Sequence, residues 1–340
     1  MLEGNEVTTI RDVAKEAGLS TGTISKALSN PERVSKKNLE KVQAAIKKLD
    51  YTPNMLAQKF RSKTANTIVV LVPDIANLFF AKVISGIESV AQRAGYNVLL
   101  GDTKDSSSKE NDFIRMVETR LADGVINLRP YVKNDSLLPR AGVFAVSASS
   151  CEGTPYSSVR IDNVGAAYKV VTHLIKLGHK RIGVISGLKE NPHTLDRMKG
   201  YLMALHDHGI NFDPSLVVEG DFNYWSGINA AEQFCNMEQC PSAIFCMNDE
   251  MAIAAIKGFY DKGIQVPRDI SITGFDDMDV SKYIVPTLTT IAQPAEKIGE
   301  KSAQMLIDMI QGNETEHKEY VFPYEFIIRE STANYVEMKK

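Results

Sequence analysis

Only four cysteines occur in 340 residues, Cys151, Cys235, Cys240 and Cys246, irregularly spaced and with no histidine at metal-ligand spacing. That scarcity argues against a disulfide framework and against a structural zinc site, and leaves reduced, mostly buried thiols as the expectation. No run of 18 or more apolar residues is present, so no segment reads as a membrane-spanning helix. The opening MLEGNEVTTIRDV has neither a basic n-region nor an apolar h-region, and the expected location is the cytoplasm. Enzyme signatures are missing as well: G-x-G-x-x-G after a first strand, G-x-S-x-G, H-E-x-x-H and a Walker loop are all absent. No cofactor, metal or catalytic residue is therefore expected.

What is there begins with size and charge. A chain of 340 residues, 44% hydrophobic and 24% charged, has the makeup of a soluble globular protein with two or three domains. Its net charge of −3 hides an asymmetry. Residues 1–63 hold 12 lysines and arginines against 7 aspartates and glutamates, whereas the remainder holds 27 against 35. A basic head on an acidic body is the pattern of a protein that meets phosphate at one end only.

The head carries the sharpest local pattern. In TIRDVAKEAGLSTGTISKALSN, residues 9–30, Ile10, Val13, Ala14 and Ala17 form one apolar stripe of a helix, and Gly18 permits a tight turn. Ser20 is a fitting N-cap for a second helix, with Ile24, Ala27 and Leu28 inward and Thr21, Gly22, Ser25 and Lys26 outward. A small, polar outer face suits the major groove, where a helix-turn-helix presents the start of its second helix to base edges; a plain surface hairpin is the alternative. Asn30-Pro31 stops that helix. Leu39, Val42, Ala45, Ile46 and Leu49 mark a third helix, Tyr51-Thr52-Pro53 closes the unit, and NMLAQKFR, residues 54–61, is a short helical segment or a tether.

From Thr67 the pattern becomes strand-helix alternation. Strands are expected at 68–74, 96–102 and 123–128, then, after a restart near Gly165, at 181–187, 217–222, 243–248 and 270–277, with helices between them. Two doubly wound lobes of this kind share a crevice at the carboxyl ends of their strands. Asp74, Asp102, Asn248, Asp249, Asp276 and Asp277 follow those strand ends, with Arg197 in a neighbouring helix. Asp102 and Asp249 read better as helix N-caps or turn residues; Asp276 is the stronger ligand candidate, with Phe275 supplying adjacent apolar surface. Phe79, Phe80, Phe222 and Trp225 are either ring-stacking or core residues.

The head motif, GHKRIGVISG (178–187), RMKGY (197–201), NDEMA (248–252), GFDD (274–277) and LTTIAQP (288–294) together resemble the LacI/GalR family of bacterial transcription regulators over residues 8–334. VPDIANLFFAKVISGIE, VLLGD and TTIAQP are similar to its cytidine-repressor branch. The resemblance implies an α/β chain: a three-helix, helix-turn-helix head at 1–53, a hinge helix and linker at 54–66, and a two-lobed, doubly wound, periplasmic-binding-protein-like effector domain. Its lobes span 67–162, completed by about 292–322, and 163–291, completed by about 323–334.

The resemblance also implies roles. Thr21, Gly22 and Lys26 read bases, Ser20 and Thr23 lie near phosphates, and Thr9, Asn30 and Tyr51 belong to the same DNA-binding set. In the hinge, Ala57 packs across a homodimer, Arg61 meets backbone, and Phe60 stands where the family usually has a wedging leucine. Gly22 offers no side chain, so readout there departs from the family. Phe79, Phe80, Asn191, His193, Arg197, Phe222, Asn248 and Asp276 match effector positions, with Asp276 and Arg197 sharing ligand hydroxyls and His193 either a ligand contact or a solvated loop residue. The expected partners are double-stranded operator DNA, a nucleoside or sugar effector and a second copy of the chain; in some relatives a protein corepressor takes the effector's part. No membrane partner is expected. The rival reading, a solute-binding protein of the same two-lobed fold, needs export and no basic head.

Overall fold

The computed structural model describes residues 8–29, 31–51, 64–104, 106–133, 136–314 and 316–335. They fall into two compact units, one reaching to Ala65 and one starting at Asn66.

In the first unit, the N–H and hydroxyl of Thr9 both donate to the Asp12 carboxylate, at 2.9 and 2.7 Å, and close the start of α1 (Ile10–Ala17). Gly18 ends that helix at φ 63°, a left-handed conformation glycine adopts without cost. The Ser20 hydroxyl accepts the Thr23 N–H at 3.2 Å and opens α2 (Thr21–Ser29). A single 3-10 turn at Pro31–Arg33 leads to α3 (Lys36–Lys48). Val13, Ala14, Ala17, Ile24, Ala27, Val42, Ala45 and Tyr51 form the shared core. Three short helices that would be marginal alone are stable here because each buries its stripe against the other two.

The second unit contains two parallel sheets. β1 (Thr67–Val72), β2 (Asn97–Asp102), β3 (Gly124–Asn127), β4 (Ala145–Ala148), β5 (Ser158–Ile161) and β11 (Glu319–Phe322) pair in the order β11-β5-β4-β3-β1-β2. β6 (Ile182–Ile185), β7 (Val217–Val218), β8 (Ala243–Cys246) and β9 (Ser271–Thr273) pair as β7-β6-β8-β9. Strands such as TIVVLV are unbroken apolar runs because helices cover both faces. The covering helices are α4 (Leu78–Arg93) and α5 (Ser107–Glu118) on the first sheet, then α6 (Asn163–Lys176), α7 (Pro192–Asp207), α8 (Tyr224–Cys235) and α9 (Asp249–Asp261) on the second.

A crossover strand, β10 (Thr290–Ala292), pairs antiparallel with β12 (Glu325–Ile327) and feeds α10 (Ala295–Ile310), which packs on α4. That contact is glycine-mediated: a Cβ on Gly86 would stand 2.0 Å from the Glu296 carbonyl, and one on Gly299 2.0 Å from that of Val83. The strand-like EYVFPYEFIIRES is divided around Pro323, β11 joining the six-stranded sheet and β12 the crossover pair.

Two strands, β4 and β5, lie in the stretch the sequence pattern left blank between 128 and 165. AVSA and SVRI are four residues each, without the long apolar run that betrays β1. The cysteines also need correction: Cys151 and Cys246 are buried, but Cys235 is only half-buried and Cys240 is exposed. Among the described residues no helix is long and apolar enough to cross a membrane.

Candidate functional site

On α2, Thr21, Gly22 and Lys26 are exposed while Ile24 and Ala27 are buried. Ser20 and Thr23 are tied to one another, hydroxyl to hydroxyl, at 2.9 Å. Thr9 is engaged with Asp12, and the Tyr51 side chain sits in the head core, 9% exposed. Of the DNA-binding set, Asn30, Ala57, Phe60 and Arg61 lie outside the described residues.

In the second unit the strand orders reverse beside β1 and β6, the switch points at which open α/β sheets bind ligands. Pro73 and Asp74 follow β1, and Asn248 follows β8, so the two sheets present their carboxyl ends to one cleft of about 270 Å³. All eight residues expected there, Phe79, Phe80, Asn191, His193, Arg197, Phe222, Asn248 and Asp276, line it.

Its floor is a buried guanidinium. Arg197 donates from Nε to Asn163 Oδ1 at 3.0 Å and from Nη1 to the Met247 carbonyl, lies 3.6 Å over the Phe275 ring, and approaches Asp276 Oδ1 to 4.0 Å. Burial pushes the Asp276 carboxyl up to about 8, against the pull of Arg197. Gln293 Nε2 donates to the same carboxyl at 2.7 Å, and Asp276 itself sits at φ 120°, a backbone conformation held by its N–H bond to the Ile291 carbonyl at 2.8 Å.

The walls are aromatic and amide. Phe79 meets Phe80 edge-on with ring centres 5.6 Å apart. Asn248 caps α9 by accepting the Met251 N–H at 3.0 Å and donates to the Phe222 carbonyl at 2.8 Å, so one side chain fixes both the helix start and the aromatic loop. The Phe222 ring lies where a Cβ on Gly187 would be, 2.0 Å away. His193 lies in the first turn of α7, half-buried, with Nδ1 3.2 Å from the Cys151 sulfur. Burial, then Arg197, lower it to about 3, and burial raises the Cys151 thiol well above its ordinary value.

Several expectations change. Asp249 is no N-cap: fully buried, it accepts from the Met278 N–H at 2.8 Å, the Ser281 hydroxyl at 2.7 Å and the Thr290 hydroxyl at 2.6 Å, stapling the start of α9 to the Asp276 loop and to β10. Asp102 ends β2, 3.4 Å from the Lys104 ammonium, rather than capping α5, which Ser106 precedes. Phe275 faces the core under Arg197, and Trp225 is 74% exposed outside the cleft. His193 is not a solvated loop residue. Gln293, Asp221, Asn77, Lys104 and Ser149 also line the cleft and were missed. Gln293 had a legible signal, its place just after the crossover strand in LTTIAQP, and Asn77 another, as an asparagine opening a helix.

A family model described as "Bacterial regulatory proteins, lacI family" matches residues 9–54, and one for a periplasmic binding protein-like domain matches residues 171–332. The chain is 37% identical over 327 residues to the HTH-type transcriptional repressor CytR of Escherichia coli (strain K12), covering 95% of this chain and 96% of the relative. A solved structure of the lac repressor dimer bound to operator and the anti-inducer ONPF superposes with a TM-score of 0.88 at 28% identity, covering 96% of this chain and 100% of that one. A LacI family transcriptional regulator from Enterococcus faecium with bound ribose matches at a TM-score of 0.72 and 30% identity, over 79% of this chain and 100% of its own.

Proposed function

The chain belongs to the lacI family of bacterial regulatory proteins, and from that premise we propose how its parts share the work. It is a DNA-binding transcriptional repressor with a helix-turn-helix head. In our reading the head extends to residue 53, 54–66 link it to the effector domain, and Thr21, Gly22 and Lys26 read base edges in the major groove while Ser20 and Thr23 adjoin phosphate. With Gly22 bare, discrimination falls mainly on Thr21 and Lys26.

The effector is a nucleoside or sugar, held between the lobes. The observation that carries this is the convergence of Asp276, Arg197, Asn248 and Gln293 with the Phe79, Phe80 and Phe222 rings in one cleft, since hydrogen-bonding edges beside aromatic faces suit a polyhydroxylated ring. The bound ribose of the Enterococcus faecium relative fits the same chemistry. Two copies of the chain act together. The lac repressor structure is a dimer, and here the exposed Tyr260 and Val285, with Ile253, Ile256 and Ile284, line an apolar surface pocket of the second lobe that suits contact with a second copy.

Binding, not catalysis, is the cleft's work. The Cys151–His193 contact sets a thiol beside an imidazole, but burial raises the thiol well above its ordinary value and, with Arg197, lowers His193 to about 3, the reverse of the shifts that activate a nucleophile and its base. A thermal-shift panel of nucleosides and sugars on the full chain and on Asp276→Ala tests the site. Stabilisation by a panel member that vanishes in the variant is the expected result; a response surviving in Asp276→Ala removes Asp276 from the effector site.

A further inference from the structure

Four helices begin at the cleft, each after an asparagine that lines it: Asn77 before α4, Asn191 before α7, Asn223 before α8 and Asn248 before α9. Convergent helix N-termini ordinarily attract anions, through unpaired N–H groups and the positive ends of the helix dipoles. Here three of the four are capped from within, each at one N–H. The Asn77 side chain accepts the Phe79 N–H at 2.9 Å, Asn191 that of His193 at 2.9 Å, and Asn248 that of Met251 at 3.0 Å. The fourth end has no side-chain cap, but the Asp221 carboxylate takes the N–H of Asn223 at 3.0 Å and so sets a negative charge of the chain's own beside the start of α8.

The cations are engaged as well. Among the described residues lining the cleft they are Lys104 and Arg197. Lys104 is bonded to Asp74 and lies 3.4 Å from Asp102, two carboxylates on one ammonium. Arg197 is committed to Asn163, the Met247 carbonyl and the Phe275 ring, and its remaining edge faces Asp276. Burial, then Arg197, lower His193 to about 3 and so favour its neutral form. A phosphate entering this space would meet Asp74 and Asp221, with Lys104 already held by Asp74 and Asp102 and with the Nε and Nη1 donors of the buried Arg197 already taken, and repulsion of that kind is how a site rejects a close analogue.

Resting on the reading of the cleft as the effector site, we infer that its ligand is an uncharged polyhydroxyl compound, a free nucleoside or free sugar, and that the phosphorylated counterpart is excluded. The test is a thermal-shift and calorimetric comparison on the full chain of cytidine with cytidine 5′-monophosphate, ribose with ribose 5-phosphate, and inorganic phosphate with chloride at equal ionic strength. Within a responding pair the neutral member binds at least about tenfold more tightly, and inorganic phosphate does nothing beyond chloride. Asp74→Asn combined with Asp221→Ala, or Asp74→Asn alone should the double variant not fold, gains a phosphate-dependent rise in Tm. Equal or tighter binding of a phosphorylated member, stabilisation of the wild-type chain by millimolar phosphate, or no gain in the variants overturns the inference. Silence toward all four organic compounds, with the gain present in the variants, upholds the charge rule and counts instead against the nucleoside-or-sugar reading.

Discussion

Asp276 is a carboxyl that folding makes harder to ionise, and this has a measurable sign. Its pKa rises from an ordinary 3.8 to about 8, chiefly by burial, so the folded chain holds a proton there that the unfolded chain releases. The stability this gives is complete below about pH 4 and drains away as pH climbs toward 8. Asp249, raised to about 6, and Glu250, raised to about 7, slope the same way. His193 slopes oppositely: lowered to about 3, it gives stability above its ordinary 6.5 that is lost as pH falls. Urea unfolding of Asp276→Asn at intervals from pH 5 to 8.5 should show a shallower decline than wild type; an identical decline would mean that the carboxyl is not held protonated. At the other end of the chain, Lys26→Ala should weaken and relax operator selection by about 1 to 3 kcal/mol if the ammonium meets guanine. Gel shifts across operator variants that leave the preference unchanged would count against that role.

Elements were more legible than the contacts between them. The helices of the head announce themselves by periodic apolar positions and by Gly18, and β1 by its unbroken apolar run. β4 and β5 are short and mixed in composition, because they gain stability from neighbours on both sides rather than from their own residues. Side-chain direction was the harder matter. Nothing local reveals that Phe275 points under Arg197 or that Trp225 faces out, and Asp249 reads as a cap until the Asp276 loop and β10 are folded against it. The α4–α10 crossing gives a prediction at this scale. Gly299→Ala places a methyl group against the Val83 carbonyl, and denaturant unfolding should register a loss of about 1 to 3 kcal/mol or more. An unchanged midpoint would show that the helices can part without cost. Removing the Thr9 cap by Thr9→Ala should cost the head about 1 kcal/mol in the same measurement.

The whole molecule combines a basic reading head with an acidic, two-lobed receptor, and a ligand can influence the head only through its differential affinity for two forms of the receptor. Charge asymmetry made that division visible in the sequence, and the cleft confirmed that the receptor's candidate residues meet in one place. Deleting residues 1–65 should abolish duplex binding while leaving the thermal shift by an effector intact, since the two units are separately compact. Loss of both would show that the receptor does not stand alone. The most direct trial is an anisotropy titration of the full chain against a duplex selected from random sequence, with and without a compound that stabilises the wild-type chain but not Asp276→Ala. Coupling of about 1 to 3 kcal/mol predicts a change in duplex affinity of roughly 5- to 150-fold, absent from the variant. A compound that fills the cleft and leaves duplex affinity where it was would contradict the account.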